Sequence, residues 1–179
     1  MTDAGTADQL VFGYGSLAVG VPGRPARLEG HRRVWGVAMD NRVTIPGYKA
    51  YRLREDGSRP AVYVAFLDIV EERGAATDGV LFAVDDGALR ALDERERNYE
   101  RVDVSTAVPG APGRVWTYRG SAAGRARLQL GLQRGSAVVQ REYLRAVRSS
   151  FAALGIGDDA DPGELPVMDL ERVELAPAA

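Results

Sequence analysis

Two stretches of this 179-residue chain combine residue types and spacings that chemistry can use. The first is Phe12-Gly13-Tyr14-Gly15-Ser16-Leu17, an apolar entry into a turn where one tyrosine separates two glycines. Glycine lets the backbone approach a ligand closely, so the stretch is predicted to be a strand end opening into a loop whose N–H groups can hold an anion. The second is Glu96. Wound as a helix from Ala88 to near Arg97, the chain puts Glu96 about 20° from Leu89 and about 40° from Leu92 on the helical wheel, inside the apolar stripe. Asp93 falls at the border of that stripe, while Glu94 and Arg97 point away. A carboxylate so placed has two readings. It is desolvated, with a pKa raised toward working pH and able to take and return a proton, or the last helical turn frays and Glu96 sits in water or pairs with Arg95, Arg97 or Arg101.

The glycine loop has rival readings of its own. Gly13-Tyr14-Gly15-Ser16-Leu17-Ala18 satisfies the dinucleotide pattern G-x-G-x-x-G/A. That pattern needs a helix starting within it, which Gly20, Pro22 and Gly23 oppose, and an acidic residue at a spacing that neither Glu29 nor Asp40 meets. A Walker loop would need Gly-Lys-Ser/Thr, and Ser16 lacks the following glycine of a G-x-S-x-G elbow. A purely structural turn stays open beside the anion-binding loop.

The elements that must position these residues follow from periodicity and turn chemistry. Arg33 to Met39 and Ala61 to Leu67 are strand-like, and Gly79 to Val84 is another buried-strand candidate. Lys49 to Arg54, between turn-rich stretches, is at best a short edge strand. Asp85-Asp86-Gly87 suits the start of the helix that carries Glu96. Tyr99 to Val104 alternates apolar with charged residues and is predicted to pair with Arg114 to Tyr118. Ala122 to Arg134 is helix-compatible despite Gly124 and Gly131, and Gln140 to Leu154 is strongly helical. In the latter, Tyr143, Leu144, Val147, Phe151 and Leu154 form a core stripe that Gly155 stops.

Composition removes whole chemistries. With no cysteine there are no disulfides, thiolate nucleophiles or sulfur-ligated metals, and one histidine, His31, lacks companions for a metal site or a triad. Acidic and basic side chains, 25 and 23, are interspersed without a basic block, so nucleic acid is not an expected partner. An apolar fraction of 45% with mean hydropathy −0.20 and no long apolar run argues against a membrane span. Met1 to Gln9 has neither the basic nor the apolar region of an export signal, so it reads as a frayed tail and the expected location is cytoplasmic. Length favours a single domain over 10–175, with 1–9 and 176–179 as tails.

Phe12-Gly13-Tyr14-Gly15-Ser16-Leu17, followed by Leu92-Asp93-Glu94-Arg95-Glu96 and then Tyr99-Glu100-Arg101-Val102, resembles the γ-glutamylcyclotransferase-like superfamily. The resemblance runs through the strand with Tyr118 and, more loosely, the Arg141-Glu142-Tyr143-Leu144 helix. It implies an α+β fold, a small mixed β-barrel flanked by helices. It also implies a lyase-type reaction without metal or cofactor, in which the α-amino group of a small-molecule γ-glutamyl substrate attacks its own γ-carbonyl to give 5-oxoproline and a free amine or amino acid. The loop Phe12, Gly13, Tyr14, Gly15, Ser16 and Leu17 would receive the γ-glutamyl group, Glu96 would be the acid/base, and Tyr99 and Tyr118 match aromatic positions that line the pocket in relatives. Many relatives carry Asn where this chain has Leu17 and several carry Gly where it has Arg97; both forms here resemble the glutathione-directed ChaC branch. The leaving group stays open between an amine, an amino acid, the Cys-Gly of glutathione and a metabolite. Two other functions fit the same residues: a non-catalytic small-molecule binding protein that keeps the pocket, and a tailoring enzyme that removes a γ-glutamyl protecting group. No residue pattern speaks to oligomeric state.

Overall fold

The computed structural model describes residues 9–178. Its frame is two long strands, β2 (Arg24–Asp40) and β4 (Tyr63–Val84), paired antiparallel along nearly their whole length. The two buried runs expected as separate strands, Ala61 to Leu67 and Gly79 to Val84, are thus the ends of a single strand. Its middle, Glu71 to Gly74, is exposed, which is why no apolar pattern links the halves. The ladder skips register at Glu29/His31, where Gly30 takes φ +70°. Such a bulge bends the pair and lets both ends reach the core. His31 lies on this arm, its Nδ1 2.8 Å from the Glu29 carbonyl oxygen.

β1 (Gln9–Gly13) joins the far end of β4 antiparallel and pairs in parallel with β6 (Arg114–Gly120), whose other edge takes β5 (Tyr99–Asp103) antiparallel as expected. At the near end of β4, β7 (Ala137–Gln140) adds in parallel and β8 (Val167–Met168) beyond it. Among the described residues the result is a mixed seven-stranded sheet with three α-helices, an α+β architecture. Gln9, assigned to the tail by sequence, is the first residue of β1, and its side chain accepts from Trp116 Nε1 at 2.7 Å. A separate two-stranded sheet joins β3 (Lys49–Leu53), the expected edge strand, to β9 (Leu170–Glu174), which no sequence pattern anticipated. Among the described residues, no helix is long and apolar enough to cross a membrane.

The helices clamp the site's two stretches. α1 (Asp86–Arg95) starts at Asp85, whose carboxylate accepts the Ala88 N–H at 2.7 Å. α2 (Ala122–Gln133) holds two glycines because it packs too closely for side chains: a Cβ on Gly131 would lie 2.8 Å from Tyr63 Cβ, and one on Gly124 2.7 Å from the Asn98 carbonyl oxygen. α3 (Arg141–Ala153) buries Leu144, Val147 and Phe151 as predicted, with Gly155 at φ +67° beyond its end. Asp68, fully buried on β4, ties sheet to helix by accepting from the Gly120 N–H at 2.6 Å and pairing with Arg125 on α2 at 2.9 Å.

Candidate active site

β1 ends at Gly13, where a Cβ would stand 2.9 Å from the Leu17 carbonyl carbon, so the chain can fold back on itself there only with glycine. Ser16–Ala18 then makes a single 3-10 turn with no side-chain cap. The turn is anchored from outside. Arg33, with a fully buried side chain, donates through Nε to the Tyr14 carbonyl at 2.8 Å, contacts the Asp78 carbonyl and Asp159, and lies 4.3 Å over the Phe151 ring. Burial lowers its pKa to about 10, which leaves it charged at neutral pH. Ser150 on α3 donates to the Ala18 carbonyl at 2.6 Å. The N–H groups of Gly15 and Leu17 have no acceptor among the described residues. Buried amides without partners are costly, and they are the donors an anionic group would satisfy.

Glu96 is not inside the helix, contrary to the sequence expectation: α1 stops at Arg95, and Glu96 is its C-cap with ψ 53°. The fraying reading holds in part: the helix ends before Glu96 and Arg95 pairs with it, but the side chain is only 10% exposed and does not sit in water. Its position is set by backbone bonds: Glu96 N–H donates to the Leu92 carbonyl at 2.9 Å, and Tyr99 N–H donates to the Glu96 carbonyl at 3.0 Å. From α2, Arg127 holds Asn98 Oδ1 at 2.8 Å, fixing the Glu96–Asn98 turn from below. Burial raises the Glu96 pKa, opposed by Arg95, Lys49 and Arg172; Arg95 Nε stands 3.3 Å from a carboxylate oxygen. A raised pKa brings a carboxyl closer to the pH at which it can serve as both acceptor and donor of a proton.

The glycine turn and Glu96 open into the same space. A cavity of about 430 Å³ has Ser16, Leu17, Glu96 and Tyr99 on its wall, and a recess of about 20 Å³ runs from it toward Tyr14, Gly15 and Tyr118. Tyr99 and Tyr143 pin the strand between them: Tyr99 donates its hydroxyl to the Leu67 carbonyl at 2.6 Å, and Tyr143 accepts the Leu67 N–H at 3.3 Å. A Cβ on Gly15 would come within 3.2 Å of the Tyr143 hydroxyl, so the turn rests on that tyrosine. Burial raises the pKa values of Tyr14, Tyr99, Tyr118 and Tyr143, keeping all four phenols protonated as donors.

Of the residues singled out by sequence, Tyr14, Gly15, Ser16, Leu17, Glu96, Tyr99 and Tyr118 meet at the recess. Phe12 and Gly13 do not: Phe12 is fully buried in the core and Gly13 is pressed against the turn behind the wall. Tyr118 spends its hydroxyl on Asp93 at 2.8 Å, the residue expected at the border of the helix stripe. Sequence reasoning missed Lys49, Tyr48, Phe66, Arg172 and Tyr143. Lys49 shares a strand face with Tyr51, so a lysine in an apolar row was the available signal. Tyr143, expected in the core stripe, also lines the cavity and the recess.

A mixed α+β sheet with a glycine turn facing a buried glutamate defines a small-molecule site. Residues 11–135 match the family described as gamma-glutamyl cyclotransferase, AIG2-like. The chain belongs to this family, and its function is of the γ-glutamyl cyclotransferase-like kind. Among solved structures it is similar to a yeast gamma-glutamyl cyclotransferase specific to glutathione, at 12% identity and TM-score 0.49 over 85% of this chain and 90% of that one. It is also similar to a protein described as gamma-glutamyl cyclotransferase, at 13% identity and TM-score 0.47 over 84% and 82%, and to an Arabidopsis thaliana protein at 20% identity and TM-score 0.39 over 69% and 75%. No curated protein sequence matches the chain.

Proposed function

We propose that the protein cyclises a γ-glutamyl compound to 5-oxoproline and releases its amine or amino acid, with Glu96 as the acid/base. The observation that carries this reading is the single cavity shared by the raised-pKa Glu96 and the uncapped glycine turn. The Gly15 and Leu17 amides hold the substrate's α-carboxylate. Glu96 takes a proton from the α-ammonium; the freed amine attacks the γ-carbonyl carbon, forming the ring C–N bond as the old C–N bond breaks. Two protons leave the attacking nitrogen overall and two reach the departing one, so no proton is consumed, and Glu96 relays them. Tying the α-carboxylate to the turn holds the amine near the carbonyl, which captures the large advantage of an oriented intramolecular attack. The cavity volume lies in the range of small-molecule sites and is ample for a dipeptide-sized substrate.

The test is to incubate the protein with γ-glutamyl amines, γ-glutamyl amino acids and glutathione and to quantify 5-oxoproline together with the released amine. Equimolar formation of both from at least one class is the expected result. Saturable binding of these compounds with no 5-oxoproline would favour the non-catalytic binding protein.

A further inference from the structure

The walls of the cavity carry charges besides the Glu96 carboxylate that the cyclisation uses. Lys49 on β3, Arg172 on β9 and Arg95 and Arg97 around α1's end are the cations; Glu96 and Glu142 are the carboxylates. Most are matched. Arg95 faces Glu96 at 3.3 Å, Arg172 is paired with Glu174 at 2.6 Å, and Glu142 is held by Arg54. Lys49 and Arg97 are left with no carboxylate within 4 Å among the described residues, and both border one ring, their charges lying 5.4 and 5.3 Å from the centre of Tyr48. Lys49 Nζ also sits 4.2 Å over Phe66. Aromatic faces hold a cation without neutralising it. A deeply placed, unmatched ammonium in a substrate cavity is costly for the fold, and burial lowers its pKa to about 8, leaving it mostly protonated at neutral pH.

The placement of Lys49 relative to the recess decides what it would meet. The recess with the free amides includes Glu96 on its wall and excludes Lys49, which belongs only to the outer cavity. With the glutamyl α-carboxylate at the turn and the γ-carbonyl near Glu96, the outer cavity receives the departing group. We infer that Lys49, with Arg97 beside it across Tyr48, recognises a carboxylate on the leaving group, so that the substrates are γ-glutamyl amino acids or peptides with a reachable carboxylate, and not γ-glutamyl derivatives of neutral or cationic amines. This inference rests on the cyclotransferase reading for the orientation of the substrate.

The test uses two compounds that differ only in that carboxylate, γ-glutamyl-alanine and γ-glutamyl-ethylamide. A charge-assisted hydrogen bond predicts a preference for γ-glutamyl-alanine in kcat/KM of about 10- to 100-fold. Lys49→Met removes most of that preference through a higher KM for γ-glutamyl-alanine, and Lys49→Arg keeps it. Equal use of the two compounds by the wild-type protein, or an undiminished preference in Lys49→Met, overturns the inference while leaving the cyclotransferase reading standing. Calorimetric binding of both compounds to the Glu96→Gln protein separates the two failures. If no 5-oxoproline forms in the wild type, a binding preference for γ-glutamyl-alanine that Lys49→Met abolishes still supports the carboxylate site, and equal binding of the two compounds refutes it.

Discussion

Replacing Lys49 with methionine should stabilise the protein, and by an amount that depends on pH. The stem of the lysine is retained and only its charge is lost, so packing against Phe66 changes little. In the fold the amine loses its proton near pH 8 where an unfolded lysine would hold it to 10.5, and that difference corresponds to a cost of about 3 kcal/mol for keeping the amine charged at neutral pH. The cation–π contact with Phe66 offsets about 1 kcal/mol of it. The remaining ~2 kcal/mol favours methionine at pH 7, a rise in Tm of about 4–8 °C for a domain of this size. The sign follows from proton binding: below pH 8 the wild-type fold carries the full cost, and between pH 8 and 10.5 the unfolded chain binds the extra proton, so wild-type stability recovers as pH rises. Thermal unfolding of both proteins at pH 7 and pH 10 reads the effect. A gap at pH 7 that closes by pH 10 is expected; a methionine variant no more stable than wild type at pH 7, or a gap unchanged at pH 10, would refute the reasoning. The expected result would make Lys49 a residue that costs the fold stability, as residues placed for binding commonly do.

The acid limb of the kcat/KM profile should lie above the ordinary carboxylate value of 4.5, because burial raises the Glu96 pKa and the base form is needed to take the α-ammonium proton; KM for a carboxylate-bearing substrate should climb as pH passes about 8 and Lys49 loses its charge. Steady-state profiles from pH 5 to 9 check both. Arg33→Met, which strips the Tyr14 and Asp78 carbonyls of their buried donor, should cost about 2–4 kcal/mol in urea unfolding. It should also lower kcat in protein that is still folded, since the Tyr14–Leu17 turn loses its anchor; a variant that unfolds earlier with kcat intact would show that the turn holds itself.

Local chemistry made part of this site legible. Gly13 and Gly15 announce a turn: a Cβ at Gly13 would strike the chain's own backbone, and one at Gly15 would press on the Tyr143 hydroxyl. Glu96 announces itself by standing where an apolar residue belongs, and its inward direction survives although the helix ends about two residues sooner and the backbone turns. What sequence could not deliver depends on distant pairing. β3 and β9 lie more than a hundred residues apart, with Lys49 opposite Glu174 and Tyr51 opposite Arg172, so no local pattern brings Lys49 and Arg172 to one wall. The continuity of β4 was hidden for a related reason: Glu71 to Gly74 extends into solvent, and pairing with β2, not periodicity, keeps the strand unbroken around it. Gly124 and Gly131 looked like weaknesses in α2, and close packing against Asn98 and Tyr63 turned them into requirements.

The central claim is that Glu96 moves the protons of the cyclisation, and the direct measurement is 5-oxoproline release by Glu96→Gln on the best γ-glutamyl substrate, with substrate affinity measured in parallel. Glutamine keeps the shape and removes the titrating group. Turnover should fall by about 10²–10⁴-fold while the dissociation constant moves little. Turnover within a few-fold of wild type in a folded, substrate-binding Glu96→Gln protein would contradict the account and remove Glu96 from the chemistry.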